Sequence, residues 1–211
     1  MTFKRKAWEG RGGGVMPGLA LGLFWVCVVA FALWRVLGYA NAPGPAGLPP
    51  AHWPTQSQII PNHRLPTLVM FVHPRCPCSR ASIEQLSLLM ARCQGRVNAQ
   101  VVFARPSEMP AGWEKTDTWR EASLIPGVFV RSDVGRTEAL TFHLETSGDT
   151  VLYAPDGTLI YHGGITLSRG HVGENPGWDA VLGLLQGDST SFKQAPAFGC
   201  SIFELDRKGA P

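Results

Sequence analysis

Two cysteines separated by a single proline form the part of this sequence best suited to chemistry. Cys76 and Cys78 follow an apolar run, residues 68–72, which predicts a buried strand that ends before Pro74. From Ser79 onward the apolar side chains return at helical spacing. The sequence therefore predicts a strand, a tight turn that carries two thiols, and a helix that begins at that turn.

Thiols at the start of a helix are well placed to react. The first N–H groups of a helix have no partner inside the helix, and they carry a partial positive charge. They stabilise a thiolate and so lower the pKa of a cysteine placed there. This position favours a nucleophilic or metal-binding sulfur over two cysteines that only pack as small hydrophobic groups.

Thiol–disulfide exchange is the first hypothesis. Cys76 is expected to be the exposed nucleophile that forms a mixed disulfide with a substrate, and Cys78 the thiol that resolves it. Arg75 and Arg80 are expected to favour the thiolate. A disulfide between cysteines one residue apart closes a small, strained ring, and strained disulfides are readily reduced. This hypothesis requires no cofactor, and its partner is a thiol or disulfide of another protein.

The other cysteines differ in their expected roles. Five cysteines are too few for a disulfide framework. Cys27 lies in an apolar segment and is expected to take no part, and Cys93 is expected to belong to the core. Cys200 lies in a tail and reaches the thiol site only if the tail folds over it. There it would bridge Cys76 or Cys78, or act as a third thiol in the exchange. Alternatively, it pairs with Cys93 as a structural bridge.

Metal binding is the second hypothesis, with copper or zinc bound or delivered by the same region. Soft sulfur and imidazole ligands suit Cu(I) and zinc. The expected ligands are Cys76, Cys78, Cys200, His73 and His171. His73 is equally consistent with an ordinary residue at the end of a strand.

A glycine-rich loop, residues 163–175, is another candidate surface. Its glycines permit unusual backbone angles, and its polar side chains precede a predicted helix. Arg169 and His171 are expected either to line the thiol site or to belong to a structured turn. Asn175 as a helix cap, with Pro176 at the first helical position, explains the end of the loop without a ligand. The loop matches no phosphate-binding pattern.

The N-terminal region predicts a membrane anchor. Residues 15–37 form the predicted transmembrane helix, since about 20 consecutive apolar residues match the thickness of a bilayer core. Residues 1–14 are basic and are expected to stay in the cytoplasm, which places the rest of the chain outside it. A cleaved signal peptide is the alternative, because residues 40–42 resemble a cleavage site. Residues 38–64, rich in proline and glycine, are expected to be a semi-extended linker.

The remaining sequence predicts one α/β domain, residues 65–188, and a tail, residues 189–211, that carries Cys200. After the cysteine helix, the predicted elements are a strand at 99–104, a helix at 113–124, a strand at 128–130, a helix at 137–144, strands at 150–154 and 158–162, and a helix at 178–185. The turn of the hairpin contains Asp156-Gly157, a strong hairpin signal. This order is typical of a mixed sheet flanked by helices.

Hydrophobic content and net charge favour an ordinary globular domain and argue against nucleic-acid binding. Hydrophobic residues make up 45% of the chain, as in ordinary globular proteins. The formal net charge is only +3 and lies partly at the N-terminus, so no nucleic-acid partner is predicted.

The turn His73-Pro74-Arg75-Cys76-Pro77-Cys78, together with the later hairpin, resembles the thioredoxin fold. Membrane-anchored members of that superfamily have two residues between the cysteines, whereas here Pro77 alone separates them. A narrower resemblance, to bacterial membrane-anchored thioredoxin-like proteins of the RedB type, rests on four short stretches: residues 73–82, 163–166, 168–171 and 198–200. The resemblance covers residues 65–202 and implies a thioredoxin-like fold preceded by one transmembrane helix. It also implies supporting roles for Pro74, Arg75 and Pro77 around the thiols.

The resemblance implies a thiol–disulfide oxidoreductase of the bacterial inner membrane, with its domain in the periplasm, where disulfide chemistry is permitted. Similar anchored proteins that deliver copper support the metal hypothesis, although they space their cysteines by three residues. The chain departs from the thioredoxin pattern before the hairpin, where residues 146–150 lack the cis-proline that packs on the reactive sulfur. Asp149 stands there instead. It is expected to accept a proton or a metal near the thiols, or to cap a turn.

Overall fold

The computed structural model describes residues 15–188 and 193–203, with side chains from residue 18 onward. The chain divides into two units, residues 1–39 and residues 40–211. Helix α1 is Val15–Ala40, and its residues 15–39 make up the described part of the first unit. The segment of residues 18–40 within this helix has the length and the apolar composition needed to cross a membrane. The segment predicted to be cytoplasmic, residues 1–14, lies outside the described residues.

The second unit contains a five-stranded sheet and four helices among its described residues. Its strands are β1 Thr67–Val72, β2 Asn98–Arg105, β3 Val128–Val134, β4 Asp149–Tyr153 and β5 Leu159–Gly164. Its helices are α2 Pro77–Arg92, α3 Asp117–Ser123, α4 Thr137–Thr141 and α5 Pro176–Gln186.

The strand order in the sheet is β3-β2-β1-β4-β5, with β1 at the centre. The pairs β1–β2 and β2–β3 are parallel, whereas β1–β4 and β4–β5 are antiparallel. Parallel neighbours need a crossover connection, which α2 and α3 provide, whereas β4 and β5 are joined by a tight hairpin. This mixed sheet with flanking helices, preceded by an apolar N-terminal helix, confirms the predicted thioredoxin-like fold class.

Strand β1 packs on both of its faces, which fits its uninterrupted apolar sequence. Leu68 and Met70 belong to a core shared with α2 and α5. Val69 and Phe71 belong to a second core on the other face of the sheet, with Phe142. Because β1 is central and buried, the turn that follows it is held in a fixed position relative to both layers.

The segment predicted to be a linker, residues 38–64, packs against the domain in its later part. The ring of Trp53 lies edge-on to the rings of Phe142 and Tyr153, with centroid distances of 5.3 and 5.1 Å. The side chain of Ile59 is buried in the same core. The proline-rich sequence therefore produces an extended segment laid against one face of the sheet.

The tail, defined here as residues 193–203, also packs on the domain. Its first part pairs with β5 at His162, and its later part forms an antiparallel bridge through Ser201. Ile202 is fully buried in the second core. The other residues of the predicted tail 189–211 lie outside the described residues.

Several elements have other bounds than the sequence pattern indicates. Helix α3 begins later than predicted, because the preceding residues form turns, one of them closed by a hydrogen bond from the N–H of Trp113 to the oxygen of Pro110 (3.1 Å). Helix α4 ends at Thr141, since His143 has a positive φ of 52° that a helix does not accommodate. Strand β3 extends to Val134 because it pairs with β2 along that length.

Candidate thiol site

Helix α2 begins at the first cysteine of the pair. Cys76 is the N-cap, with extended backbone angles (φ −81°, ψ 122°), and its N–H donates to the oxygen of His73 at 3.1 Å. Pro77 occupies the first helical position, where its missing N–H leaves no bond unmade. The N–H of Ser79 donates to the backbone oxygen of Cys76 at 3.0 Å, and no side-chain capping bond is made. The N–H groups of Cys78 and Ser79 at the helix start nevertheless favour the charged form of the Cys76 sulfur and lower its pKa.

Cys200 reaches this helix start because its own backbone and the residues that flank it are hydrogen-bonded. The N–H of Ser147 donates to the oxygen of Cys200 at 2.8 Å, the N–H of Ile202 donates to the oxygen of Glu145 at 2.7 Å, and the oxygen of Gly199 accepts from Arg169. Ser147 also bonds to Ser79 and to the N–H of His73, so Cys200 is held beside the helix start, where its thiol and its backbone N–H favour the charged form of the Cys76 sulfur and lower its pKa. The tail therefore adds a third sulfur to the site.

Two glycines permit the close approach of the tail. A Cβ on Gly199 would lie 1.8 Å from the oxygen of Ser147, and one on Gly163 would lie 2.0 Å from the oxygen of Ala195. Both distances are far inside van der Waals contact with backbone atoms, which cannot move aside as a flexible side chain would. The Phe198-Gly199-Cys200 stretch thus has a steric role beside its thiol.

The Cys76 sulfur is the strongest acid among the three thiols. The hydrogen bond from the Cys200 thiol, aided by backbone N–H groups of Cys200, Cys78 and Ser79, lowers the pKa of Cys76 from 9.0 to about 5, against the opposing effect of burial. The same bond raises the pKa of Cys200, because Cys200 is the donor. At neutral pH the arrangement is one thiolate held by a neighbouring thiol.

Cys78 remains protonated under the same conditions. Burial and then the charge on Cys76 raise its pKa, although Arg169 favours its charged form. The guanidinium of Arg169 also donates to the oxygens of Gly199 (2.5 Å) and Ala42 (3.1 Å). Arg169 therefore joins the glycine-rich loop to the thiols and to the tail.

Two serines fix the turn below the thiols. The hydroxyl of Ser79 donates to the oxygen of His73 at 2.9 Å and lies 2.8 Å from the hydroxyl of Ser147. The Ser147 hydroxyl in turn accepts from the N–H of His73 at 2.9 Å. Both serines are fully buried. Ser147 takes part in this turn and also in the docking of Cys200, so it links the two halves of the site.

The arginines beside the cysteine motif lie elsewhere than expected. Arg75 stacks over the ring of Trp113, with 4.8 Å between its Cζ and the ring centroid. Arg80 is exposed and pairs with Glu121 on α3. Neither is among the main causes of the low Cys76 pKa, and the arginine at the thiols is Arg169.

The expectation of an exposed Cys76 is wrong. Cys76 is 2% exposed and Cys78 is 6% exposed, whereas Cys200 is half-buried. Burial follows from the tail, which sequence patterns do not place over the helix start. Of the three cysteines, Cys200 is the most exposed.

His73 and Pro74 form the floor of the turn. His73 is buried, its Nδ1 accepts from the N–H of Arg75 at 3.2 Å, and its ring lies edge-on to Trp113. The oxygen of Pro74 accepts from the hydroxyls of Thr116 and Thr118 at 3.1 and 3.2 Å. These bonds attach the start of α3 to the thiol turn.

Asp149 has a different partner from the one expected. Within the described residues its buried carboxylate pairs with His162, with 3.2 Å between Oδ1 and Nε2, rather than with a thiol. It also accepts from the N–H of Thr150 at 3.0 Å. Both members of the pair line a cavity of about 380 Å³, together with Pro43, Gly44, Ala46, Gln194, Ala195, Pro196 and Ala197.

The end of the glycine-rich loop is a capped helix start. The side chain of Asn175 accepts from the N–H of Trp178 at 2.8 Å, and Pro176 begins α5. His171 is exposed, and its N–H donates to the oxygen of Ser168 within the loop. The loop thus contributes Arg169 to the thiol site, whereas His171 lies at the surface.

The structure separates Cys93 from the other cysteines of the domain. Cys93 is the C-cap of α2, at the opposite end from Cys76, so about 25 Å of helix lies between them. A bridge from Cys93 to Cys200 is incompatible with this distance. Within the described residues, no group of three or more His, Cys, Asp or Glu side chains is arranged to hold a metal ion. Copper or zinc binding at the cysteines stays a prediction.

Sequence reasoning missed Ser79, Ser147, Trp113 and His162. Polar residues in loops are common, and no spacing rule distinguished Ser147 from its neighbours. An aromatic residue shortly before a helix is likewise unremarkable in a sequence. The signal for His162 was available, because the predicted hairpin places it on the strand adjacent to Asp149.

No family model matches this sequence, and no curated protein matches it. Among solved structures, the chain is similar to a hypothetical protein of Sinorhizobium meliloti at 19% identity and a TM-score of 0.54, over 77% of this chain and 96% of that one. It is similar to an uncharacterized conserved protein of Geobacillus kaustophilus at 18% identity and a TM-score of 0.52, over 77% and 92%. A secreted disulfide oxidoreductase of Mycobacterium tuberculosis matches at 17% identity and a TM-score of 0.43, over 60% and 83%. At these identities the first two likenesses show a shared fold, and chemistry has to be argued from the site itself.

Proposed function

We propose that this protein is a membrane-anchored thiol–disulfide oxidoreductase whose central sulfur is Cys76. The observation that supports the proposal is the Cys76 thiolate at the start of α2, with a pKa of about 5 and two further thiols beside it. A thiolate is the form of sulfur that attacks a disulfide, and a sulfur with a low pKa is also a good leaving group. The exchange uses protein sulfurs alone and therefore requires no cofactor.

The proposed location is the outer side of a bacterial inner membrane. Helix α1 has the length and apolar composition of an anchor, and the basic residues before it favour retention of that end in the cytoplasm. Disulfide exchange is compatible with an extracytoplasmic domain, because thiols are not kept reduced there. Protease digestion of intact spheroplasts tests this orientation: the domain should be cleaved from outside, and protection of the domain would refute the proposed side.

The chemistry is tested with full-length protein in detergent and a fluorescent dithiol peptide in a glutathione buffer. Replacing Cys76→Ser is expected to lower the rate of peptide oxidation and of peptide-disulfide reduction by at least about tenfold, since the exchange runs through that sulfur. The control is Cys27→Ser, which removes a thiol from helix α1 outside the domain and should leave both rates unchanged. Undiminished exchange by the Cys76 variant would refute the proposed function.

A further inference from the structure

We infer that the working disulfide of this protein joins Cys76 to Cys200, and that Cys200 is the sulfur attacked by a substrate thiol. This inference rests on the proposed function. It assigns the exchange pair to the helix start and the tail, rather than to the two cysteines of the Cys-Pro-Cys motif.

Cys200 is held in a fixed position beside the start of α2. Its backbone oxygen accepts from the N–H of Ser147, and the Ser147 hydroxyl bonds to Ser79 and to the N–H of His73 in the thiol turn, which places Cys200 beside the start of α2. Ile202, two residues further on, is fully buried, so the segment is anchored in the core. The position of Cys200 beside the Cys76 end of the helix is therefore a built feature of the domain, and its thiol favours the charged form of the Cys76 sulfur.

The motif cysteines are less suited to bond with each other. Cys76 is the N-cap and Cys78 lies in the first turn of α2, so a bond between them would close a small ring that contains the backbone of Pro77. Pro77 between them has a fixed φ, which limits how the backbone can adjust to close so small a ring. Cys76 and Cys200 lie on separate segments, and their disulfide closes a long loop without this constraint. Cys78 then serves as a positioning residue whose protonated thiol lies beside the Cys76 sulfur.

Exposure decides which sulfur meets the substrate. Cys76 is 2% exposed, whereas Cys200 is half-buried and is the most exposed of the three cysteines. An incoming thiolate attacks along the axis of the disulfide and needs access to the sulfur that it bonds. Attack at Cys200 expels Cys76, which is the better leaving group because its thiolate is stabilised at the helix start.

This pairing oxidises a substrate dithiol in two successive exchange steps. A substrate thiolate forms a bond to the Cys200 sulfur, the Cys76–Cys200 bond breaks, and its electron pair leaves on Cys76. A second thiolate of the substrate then attacks the mixed disulfide, which releases Cys200 to take a proton. The substrate dithiol is thereby oxidised to a disulfide and the protein is reduced to a dithiol. A second disulfide, such as oxidised glutathione or a partner protein disulfide, restores the Cys76–Cys200 bond by the reverse exchange.

Peptide mapping tests the pairing directly. Full-length protein in detergent is equilibrated with oxidised glutathione, its free thiols are alkylated, and its disulfide-linked peptides are identified by mass spectrometry. The expected product links Cys76 to Cys200 and has an alkylated Cys78. A link between Cys76 and Cys78, or the absence of a Cys76–Cys200 link, would overturn the inference.

Activity of matched variants gives the second readout. Cys200→Ser is expected to lower dithiol-peptide oxidation by at least about tenfold, whereas Cys78→Ser should lower it by no more than about threefold. Mixed disulfides with the peptide should form on Cys200 in the Cys76→Ser protein and be absent in Cys200→Ser. Near-ultraviolet circular dichroism of each variant checks that the domain is folded.

The outcomes separate this inference from the proposed function. An inactive Cys76→Ser protein with a fully active Cys200→Ser protein would overturn the pairing and leave the oxidoreductase proposal standing. An active Cys76→Ser protein would overturn both.

Discussion

Removing the Cys200 thiol should raise the pKa of Cys76 by a predictable amount. The site lowers that pKa from 9.0 to about 5, and the hydrogen bond from the Cys200 side chain is the largest cause. At about 1.4 kcal/mol per pKa unit, the whole shift represents roughly 5 kcal/mol of preference for the thiolate. Because Cys76 is almost fully buried, solvent screens this preference little.

The share of Cys200 follows from the strength of one hydrogen bond to a charged sulfur. Such bonds contribute about 1.5–3 kcal/mol, which corresponds to roughly one to two pKa units. We therefore expect Cys76 to titrate at about 6 to 7 in a Cys200→Ala protein, since the backbone N–H groups remain. Cys200→Ser keeps a hydroxyl donor at the same position, so the Cys76 pKa should stay within about one unit of the wild-type value.

The assay is the ultraviolet absorbance of the thiolate, followed across pH in reduced full-length protein. The pKa values of Cys78, Cys93 and Cys200 are all raised, so the transition at low pH reports Cys76. A Cys27→Ala background removes the thiol of α1. A Cys200→Ala protein that still titrates at about 5 would show that the tail thiol does not stabilise the anion. A wild-type transition near the ordinary cysteine value would refute the whole account of the site.

Three further predictions concern the tail, the reduced state and the Asp149–His162 pair. Gly199→Ala places a Cβ 1.8 Å from the oxygen of Ser147. The free energy of unfolding in urea should therefore fall by about 2 kcal/mol or more, and the Cys76 pKa should rise. Unchanged stability and an unchanged Cys76 pKa would mean that the tail docks differently. The Cys76 pKa is lower in the folded state than the ordinary value of 9.0, so its contribution to the stability of the reduced protein is complete above pH 9 and is lost as the pH falls to about 5. The difference in unfolding free energy between wild type and Cys76→Ser should therefore shrink from pH 9 to pH 5, and a constant difference would contradict the assigned pKa. His162→Ala removes the side-chain partner of the buried Asp149 carboxylate, which should cost about 1–3 kcal/mol in urea unfolding while the Cys76 pKa stays unchanged; a loss below about 1 kcal/mol would contradict the pairing.

The fold was largely predictable because its main signals are local. The apolar run of β1, the helical spacing after Ser79 and the Asp156-Gly157 turn each depend on residues close in sequence. The Asn175 cap of α5 is local in the same sense. Such patterns reflect backbone preferences and burial of one face, so they persist whatever the rest of the chain does.

The site was less predictable because it depends on contacts between distant segments. Cys200 meets Cys76 only through the docking of the tail on residues 145–147, and that docking requires the missing side chain of Gly199. Exposure of Cys76 was misjudged for the same reason, since the covering segment lies far along the chain. The bounds of α3 were misplaced by turns whose stabilising bonds run to the thiol turn at Pro74.

The docked tail also orders events during synthesis of the protein. A growing chain exposes Cys76 long before Cys200 has been made, and over that interval the sulfur lacks its main hydrogen-bond donor. Without that donor its pKa lies about one to two units higher, at about 6 to 7, so a smaller fraction of the sulfur is thiolate at neutral pH and it reacts more slowly with disulfides. The thiolate reaches its full population only after Gly199 and Ile202 have reached their places. Completion of the fold therefore increases the reactivity of the sulfur, and an unfinished chain should cross-link more slowly than the finished protein.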